Sequence, residues 1–295
     1  MANESGTSAV TGSINTSVIQ QLLHWYLGDN FPTQKLSHIQ PIRGTGTATA
    51  AFSRVTKQTA LSGTITELTG LSNTVFQTAK VTAAIAEVGV LRQFSKLGEF
   101  SNLFGPDGLH LIALRDAIFM CLEKFETDCM AQFVNASTTV GTSGAAYTVA
   151  NFAAGISQLT INKAQPPYVA VLTATQVKNL RAEIASSGAG VFAAGLGNDV
   201  MKPVGTDGYV GNFFGVPSYT NNLATASGAN SVGAHMTDGN ANPAYAAFGV
   251  ALGWMPEMAS IINPVFSGGL QMAVTMAYGH VEIQDGAYVG DVTIT

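Results

Sequence analysis

This 295-residue sequence contains little charge: Asp, Glu, Lys and Arg make up 11% of the chain, against about 25% in an average soluble domain. Hydrophobic residues stand at an ordinary 46%, so small and polar residues have replaced the charged ones. This composition, with a net charge of −5, excludes a coiled coil, a charged disordered tail and a nucleic-acid binder with a basic patch. Because a largely uncharged surface favours association, we expect much of it to contact other protein chains.

Cysteine is also scarce, with only Cys121 and Cys129. Both fall in one predicted helix, where eight residues correspond to about 12 Å of rise, which is beyond the reach of a disulfide. Two thiols are too few for a structural zinc site, so we expect reduced core thiols in a cytosolic product. We find no signal-peptide pattern, no run typical of a membrane span and no internal repeat typical of a solenoid.

Motifs of catalytic chemistry are missing too. The sequence has no phosphate loop, no His-Glu-x-x-His and no Gly-x-Ser-x-Gly, and its five histidines are scattered without metal-ligand spacing. A loose dinucleotide fingerprint at 188–193 follows a predicted helix instead of a strand, which is the wrong context. We therefore expect no enzyme, cofactor or metal, although a site assembled from distant residues would leave no such pattern.

The N-terminal 43 residues are predicted to form an arm that contains one short helix. An apolar stripe, formed by Ile19, Leu22, Leu23, Tyr26 and Leu27, recurs at helical spacing. Gly28 then ends the helix. This helix either packs on its own domain or docks on a neighbouring chain.

Residues 44–97 predict a long β-hairpin. The limbs at 45–55 and 75–97 are rich in Thr, Ala and β-branched residues, and they flank a polar tip at 56–74. An isolated two-stranded ribbon of this length is not stable. The hairpin therefore needs a partner surface, in the same chain or in another one.

Residues 109–135 predict an amphipathic helix about 40 Å long. Its apolar residues advance by three or four positions each time: Leu111, Leu114, Ile118, Leu122, Phe125, Cys129 and Phe133. The helix also carries four carboxylates, at Asp116, Glu123, Glu126 and Asp128. We expect these side chains to lie on its solvent-exposed side and not to form a functional cluster. The pattern predicts that one face packs on a core and the other is wet.

The rest of the chain alternates helix and strand patterns. We predict helices at 149–164 and from Thr173 or Thr175 to Glu183, strands at 168–172, 245–252 and 270–275, and a strand–turn–strand unit at 209–219. Loops are expected at 188–197 and 227–242, and a turn at 253–256. The end of the chain predicts a hairpin around Asp285 and Gly286.

This order of elements resembles the major capsid proteins of tailed bacteriophages, the Hong Kong 97-type fold. Residues 109–133 resemble its spine helix and 45–97 its extended loop. Residues 209–219 (Tyr-Val-Gly-Asn-Phe-Phe-Gly-Val-Pro-Ser-Tyr) resemble a recurring segment in which a glycine-containing turn precedes a short strand. Tyr278-Gly279, followed by a hairpin into Val289 and Val292, resembles the terminal peripheral-domain strands. The resemblance covers nearly the whole chain and depends on element order and lengths.

The resemblance implies an α+β fold. Its parts are an N-terminal arm (1–43), an extended β-hairpin loop (44–97), a peripheral domain with the spine helix and a β-sheet (98–147), an α/β axial domain (148–265) and return strands of the peripheral domain (266–295). The implied function is a virion protein, assembled in the host cytoplasm into homo-pentamers and homo-hexamers of an icosahedral head. Implied partners are a scaffolding protein, a portal, a cement or decoration protein and weakly held double-stranded DNA, without a membrane.

Intersubunit contacts are the sites that the resemblance implies. We expect Lys57, Glu87 and Arg92 on the extended loop, and Arg115 and Glu123 on the spine helix, to pair across subunits. Some relatives form a Lys–Asn isopeptide bond, for which Lys57 near the loop tip is the candidate; an ordinary exposed loop lysine explains it as well.

Besides a capsid protein, and an enzyme whose site is assembled from distant residues, two further functions stay open. An encapsulin-type nanocompartment shell has the same fold and holds enzyme cargo in place of DNA. A secreted or tail-associated adhesin would suit the richness in Thr, Gly and Asn, but the long amphipathic helix and the absence of repeats disfavour it.

Overall fold

The structure is a computed structural model, which describes residues 32, 36–55, 78–95, 97, 105–142, 145–186, 208–221, 226–227, 230–263 and 269–294. Its strands are β1 (His38–Pro41), β2 (Thr49–Val55), β3 (Thr78–Ala84), β4 (Ala86–Phe94), β5 (Thr139–Val140), β6 (Tyr168–Leu172), β7 (Tyr209–Phe213), β8 (Val216–Thr220), β9 (Ala226–Ser227), β10 (Asn230–Thr237), β11 (Phe248–Asn263), β12 (Gly269–Glu282) and β13 (Tyr288–Ile294). Its α-helices are α1 (Gly105–Ala131), α2 (Val149–Ile161) and α3 (Ala174–Ser186). The predicted arm helix, the hairpin tip and the loop at 188–197 lie outside the described residues.

The long predicted helix is α1, which begins at Gly105 and passes at its end into a 3₁₀ turn, Gln132–Asn135. A proline in the first turn removes no intrahelical hydrogen bond, so Pro106 belongs to the helix instead of preceding it. The predicted apolar stripe is buried except at one position. Leu111 is 60% exposed, because the buried stripe starts one turn later, at Leu114.

Helix α1 packs on a four-stranded sheet of order β1-β11-β12-β4. Its buried side forms one apolar cluster with Met272, Val274 and Met276 of β12. Strands β11 and β12 pair antiparallel and are longer than predicted. The turn expected at 253–256 is wrong: β11 continues through Pro256, with register shifts between Leu252 and Glu257. Bulges tolerate proline because the ladder hydrogen bond is already interrupted there.

The two limbs of the predicted hairpin pair as β2 and β3. The second limb, however, divides at Ile85, because β4 pairs with β12 in the four-stranded sheet. The base of the hairpin is seated on its own chain, where Phe52 and Ala83 are buried in a cluster with Ala251 and Ile283. At least part of the partner surface that a ribbon needs is therefore supplied in cis.

A second sheet has the order β5-β13-β10-β6-β8-β7, with β9 also paired to β10. The prediction of a loop at 227–242 is wrong, because β10 is a central strand between β13 and β6. Close packing explains its small residues: a Cβ atom on Gly233 would lie 2.7 Å from the carbonyl oxygen of Val171. Residues 232–237 are all buried, and a strand covered on both faces shows no alternation of polar and apolar residues.

Local hydrogen bonds explain where α3 and the β7–β8 turn form. The N–H of Gln176 donates to Thr173 Oγ1 at 3.2 Å, and the N–H of Thr173 donates to Gln176 Oε1 at 2.9 Å. This capping box selects Thr173 over Thr175 as the cap. Between β7 and β8, Phe214 and Gly215 have φ values of 51° and 80°, as a type I′ hairpin turn requires.

The last two strands do not form the predicted terminal hairpin. Strand β12 ends in the four-stranded sheet, whereas β13 pairs with β10 and β5 in the other sheet. A 3₁₀ turn at Asp285–Ala287 joins them, so this connection links two sheets instead of closing one. Within the described part of the chain, no helix combines the length and apolarity that crossing a bilayer requires.

Candidate assembly interface

The N-terminal half of α1 exposes large apolar side chains. Leu111 is 60%, Ile112 50%, Phe119 42% and Met120 41% exposed. Residues three or four positions apart are neighbours on a helix, so Leu111, Ile112 and Phe119 lie on one side, with Arg115 between them. We call Leu111, Ile112 and Phe119 the α1 apolar patch. Single exposed hydrophobic residues are ordinary, but contiguous ones mark contact surfaces.

Sequence reasoning missed this patch because it assigned Leu111 to the core stripe and gave Ile112 and Phe119 no role. Ile112 and Phe119 lie off this stripe, on the side of the helix where a solvent-exposed face is normally polar. Their position was the sequence signal that could have revealed the patch. A long helix with large apolar residues on two sides has two surfaces to cover.

Strand β4 presents alternate side chains to the two faces of its sheet. Val90 and Phe94 pack on the α1 side. Arg92 shares that side: its Nη2 forms a salt bridge with Asp116 Oδ2 and contacts Met120 Sδ at 3.0 Å. The pair is partly exposed, so its contribution to stability is at most about 1 kcal/mol. It fixes the edge strand to the helix beside the α1 apolar patch.

The five residues predicted to pair across subunits occupy three places. Lys57 lies outside the described residues. Arg92, Arg115 and Glu123 lie at the outer side of α1, where Arg115 is exposed and Glu123 half-buried. Glu87 is exposed on β4, at an odd position that faces away from α1. The structure therefore places Arg92 against Asp116 of α1, Arg115 and Glu123 about 12 Å apart along the same helix, and Glu87 on the opposite sheet face.

One carboxylate of α1 links this helix, which packs on the four-stranded sheet, to the seven-stranded sheet. The prediction of a solvated acidic stripe is wrong for Glu126, which is fully buried. Asn221 Nδ2 donates to Glu126 Oε1 at 2.6 Å, and the N–H of Asn221 donates to the carbonyl oxygen of Leu172 at 3.0 Å. A buried carboxylate is stable only with such hydrogen bonds. Because Asn221 follows β8, this contact ties the helix to the seven-stranded sheet.

A cysteine and a histidine meet between α1 and β12. Cys129 Sγ lies 2.6 Å from His280 Nε2. Burial, with smaller contributions from the charges of Glu126 and Asp128, raises the pKa of the Cys129 thiol well above its usual value. Burial lowers the pKa of His280 to about 4. Both groups are therefore neutral near pH 7, and the thiolate that a cysteine nucleophile requires is not formed.

The same region is closed by Tyr278, whose hydroxyl donates to Asp128 Oδ2 at 2.9 Å. Burial and this hydrogen bond raise the pKa of Tyr278. Cys121 and Cys129 are both buried free thiols, as predicted. Among the described residues, no three His, Cys, Asp or Glu side chains are placed to hold a metal ion. The cluster therefore has the chemistry of a packed structural contact.

Comparison with solved structures finds chains similar to this one over most of its length. A structure from Mycobacterium phage Che8 aligns with a TM-score of 0.63 at 12% identity, covering 89% of this chain and 91% of that chain. The capsid structure of the cyanophage P-SCSP1u aligns with a TM-score of 0.62 at 13% identity, covering 90% and 89%. The holo-SrpI encapsulin complex from Synechococcus elongatus PCC 7942 aligns with a TM-score of 0.60 at 11% identity, covering 88% and 86%. No protein-family model and no curated protein matches the sequence.

The chain therefore has the Hong Kong 97-type fold of tailed-phage capsid proteins, as its element order predicted. Each alignment spans about nine-tenths of this chain and of the compared chain. The similarity therefore extends over nearly the whole fold and is not limited to one motif.

Proposed function

We propose that this chain is the major capsid protein of a tailed phage, assembled in the host cytoplasm and located in the virion. Its copies form pentamers and hexamers of an icosahedral head around double-stranded DNA. The observation that carries the proposal is the nearly full-length structural match to the capsid of the cyanophage P-SCSP1u. Scaffolding, portal and cement or decoration proteins are the partners that we propose for such a role.

The distribution of charge supports repeated contact between copies. Residues 129–162 and 208–237 contain no Asp, Glu, Lys or Arg. Within these ranges Ile161 at the end of α2 is 65% exposed, and Phe214 at the β7–β8 turn is 45% exposed. An uncharged surface with apolar projections suits contacts that recur around a symmetry axis, where heterologous contacts close into rings. Contacts of this kind can be individually weak because several act together in each subunit.

Interchain charge pairs are the second part of the proposal. Lys57, Glu87, Arg92, Arg115 and Glu123 are the residues we assign to them. Arg92 needs a designed test, because its bond to Asp116 lies within the chain. Reversing Arg92 alone therefore changes two things at once.

A charge swap separates these two effects. Arg92→Asp removes the intrachain pair and reverses the charge, whereas Arg92→Asp combined with Asp116→Arg restores the intrachain pair in reverse. If Arg92 pairs across subunits, both variants should lose assembly, as measured by sedimentation of particles. Recovery of assembly in the double variant would remove Arg92 from the interface.

An encapsulin-type shell is the alternative, and the alignment to the SrpI encapsulin complex favours it to nearly the same degree. Phage structures recur among the similar chains, which ranks the capsid first. The contents of purified particles distinguish the two: packaged double-stranded DNA supports the phage head, and a co-purifying enzyme supports the nanocompartment.

The test of the proposed function is negative-stain electron microscopy of the protein expressed alone, with size-exclusion chromatography beside it. Shells, tubes, sheets or rings of five and six subunits support the proposal. If the protein is a folded monomer at high concentration, the same measurement is repeated after co-expression with the scaffolding protein of its phage. A monomer under both conditions contradicts the proposal.

A further inference from the structure

We propose that two copies of this chain join around a two-fold axis, through the outer edge of strand β4 and a neighbouring ridge of α1. The ridge consists of Asp116, Met120 and Lys124. Contacts around a five-fold or six-fold axis are heterologous, whereas a two-fold contact uses the same surface of both copies. This inference deepens the proposed function and rests on it, because it assigns a contact by which one capsomer meets the next.

Strand β4 is an open sheet edge. It is nine residues long and stands last in the sheet order β1-β11-β12-β4. Among the strands that the structure describes, it pairs only with β12, in an unbroken register from Ala86 to Phe94. Proteins usually protect such an edge with lysine, proline or a bulge, and β4 has none of these. Of its two charged residues, Arg92 is held against α1 by Asp116. The outward backbone groups of β4 therefore suit the addition of another strand.

The ridge of α1 lies on the side of the helix next to this edge. Arg92 of β4 contacts both Asp116 and Met120. Asp116, Met120 and Lys124 follow one another at intervals of four residues, so they form one of the ridges by which helices pack on each other. All three are exposed, and Met120 presents an apolar side chain that is 41% exposed. Helix and strand therefore offer one continuous surface.

The ridge is complementary to itself. A two-fold axis that passes Met120 sets the two helices antiparallel and places Met120 against Met120 of the second copy. Asp116 then lies opposite Lys124 of the second copy, because both residues are four positions from the axis. The same pair recurs on the other side of the axis. An apolar centre is therefore flanked by two pairs of opposite charge.

The spacings of strands and helices permit both contacts at once. Paired strands lie about 4.8 Å apart. Because α1 packs on both β12 and β4, its axis lies about half a strand spacing inside β4. Across the two-fold axis the two helix axes are then about 10 Å apart, and packed helices have axes about 8–10 Å apart. Joined in this way, the two four-stranded sheets form one sheet of eight strands.

Chemical cross-linking tests the position of the axis. We would introduce Met120→Cys and treat the protein with a short bismaleimide, which joins two thiols without the strict geometry of a disulfide. The native cysteines are buried and should not react. The control is Leu111→Cys, because Leu111 is more exposed, at 60%, but its two copies lie about 27 Å apart along the helices. We expect at least about tenfold more dimer from Met120→Cys, since the axis holds its two thiols together.

A complementation experiment tests the charge pairs. In the Met120→Cys background, Asp116→Lys makes the ridge wholly positive and Lys124→Asp makes it wholly negative. Each variant alone should lose cross-linking, because like charges then face each other across the axis. Co-expressed, with a mass tag on one chain, the two variants should recover cross-linking as mixed dimers. A role of these residues within one chain cannot explain recovery, because mixing does not restore the intrachain bonds from Asp116 to Arg92 and from Lys124 to Asp128.

Equal yields from Met120→Cys and Leu111→Cys would overturn the proposal, as would a co-expressed pair that does not recover. Circular dichroism shows whether each variant is folded, and if a charge variant is not, the comparison of Met120→Cys with Leu111→Cys decides alone. If particles form without a dimer from Met120→Cys, the two-fold contact is wrong and the proposed function stands. If the chain stays monomeric under every condition, both are wrong.

Discussion

The substitution Gly279→Ala tests how the hairpin is seated on the sheet. Gly279 lies in β12, where β3 crosses it closely. A Cβ atom at this position would lie 2.1 Å from the carbonyl oxygen of Ala84 and 2.8 Å from its carbonyl carbon. Both atoms belong to the backbone, so no side-chain rotation can relieve the overlap. The two strands would have to separate by about 1 Å, against packing that tolerates little added volume.

The expected cost follows from that overlap. Overpacking of a well-packed core costs about 1–3 kcal/mol, and a clash between two backbones belongs at the upper end. We therefore expect the free energy of unfolding to fall by about 3 kcal/mol. For a chain of this length, 1 kcal/mol corresponds to a Tm change of about 2 °C, so the Tm should fall by about 6 °C.

The matched control is Gly286→Ala, in the 3₁₀ turn between the two sheets. A Cβ atom there would have its nearest neighbour, Cβ of Asn162, at 4.0 Å, which is an ordinary contact. We expect its unfolding free energy to stay within about 0.5 kcal/mol of the original protein. Urea unfolding of unassembled protein measures both variants. If Gly279→Ala is as stable as Gly286→Ala, β3 does not cross β12 as described, and the reasoning is refuted.

Two further predictions concern the contacts that hold α1. The folded-state pKa of His280 is about 4 and its unfolded value about 6.5, so the unfolded chain binds the extra proton between these values. The free energy of unfolding should therefore drop by about 3 kcal/mol as pH falls through that window. In His280→Gln this contribution is absent, so the drop over the same pH range should be about 3 kcal/mol smaller. If the original protein and His280→Gln lose the same stability over this range, the prediction is contradicted. Asn221→Ala removes a donor to the buried Glu126 carboxylate and should cost about 2 kcal/mol or more. An unchanged urea midpoint would show that this hydrogen bond does not tie the helix to the seven-stranded sheet.

Periodicity made part of this fold predictable. The stripe from Leu114 to Cys129 predicted α1 because one side of the helix packs on the four-stranded sheet. The segment around Phe214 and Gly215 predicted the β7–β8 turn because a type I′ turn favours glycine. The cap at Thr173 was one of two candidates, and the Gln176 side chain decides between them.

The features that sequence reasoning missed depend on neighbours distant in the chain. The sequence of β10 predicts a loop for two reasons. Both faces of the strand are buried, so its residues do not alternate, and close packing leaves no room for a side chain at position 233, which is therefore glycine. Pro256 reads as a turn because the bulge that accommodates it is formed with β12. Glu126 reads as solvated because its partner, Asn221, lies 95 residues away.

The candidate interface was predictable only as a region. Charge counts indicated a surface for other chains, but the α1 apolar patch could not be separated from the core stripe without knowing where the sheet lies. Arg92 has a partner within the chain that no spacing rule could predict, because β4 leaves the hairpin to pair with β12.

The most direct test of the central claim is cryo-electron microscopy of particles formed by the purified protein, with their mass measured in parallel. The account predicts closed shells with five-fold and six-fold capsomers, each a multiple of the 30.6 kDa chain, into which α1 and the two sheets fit as described. A protein that stays at the mass of one chain at high concentration and with its scaffolding partner would contradict the account, as would particles that contain neither five-fold nor six-fold units.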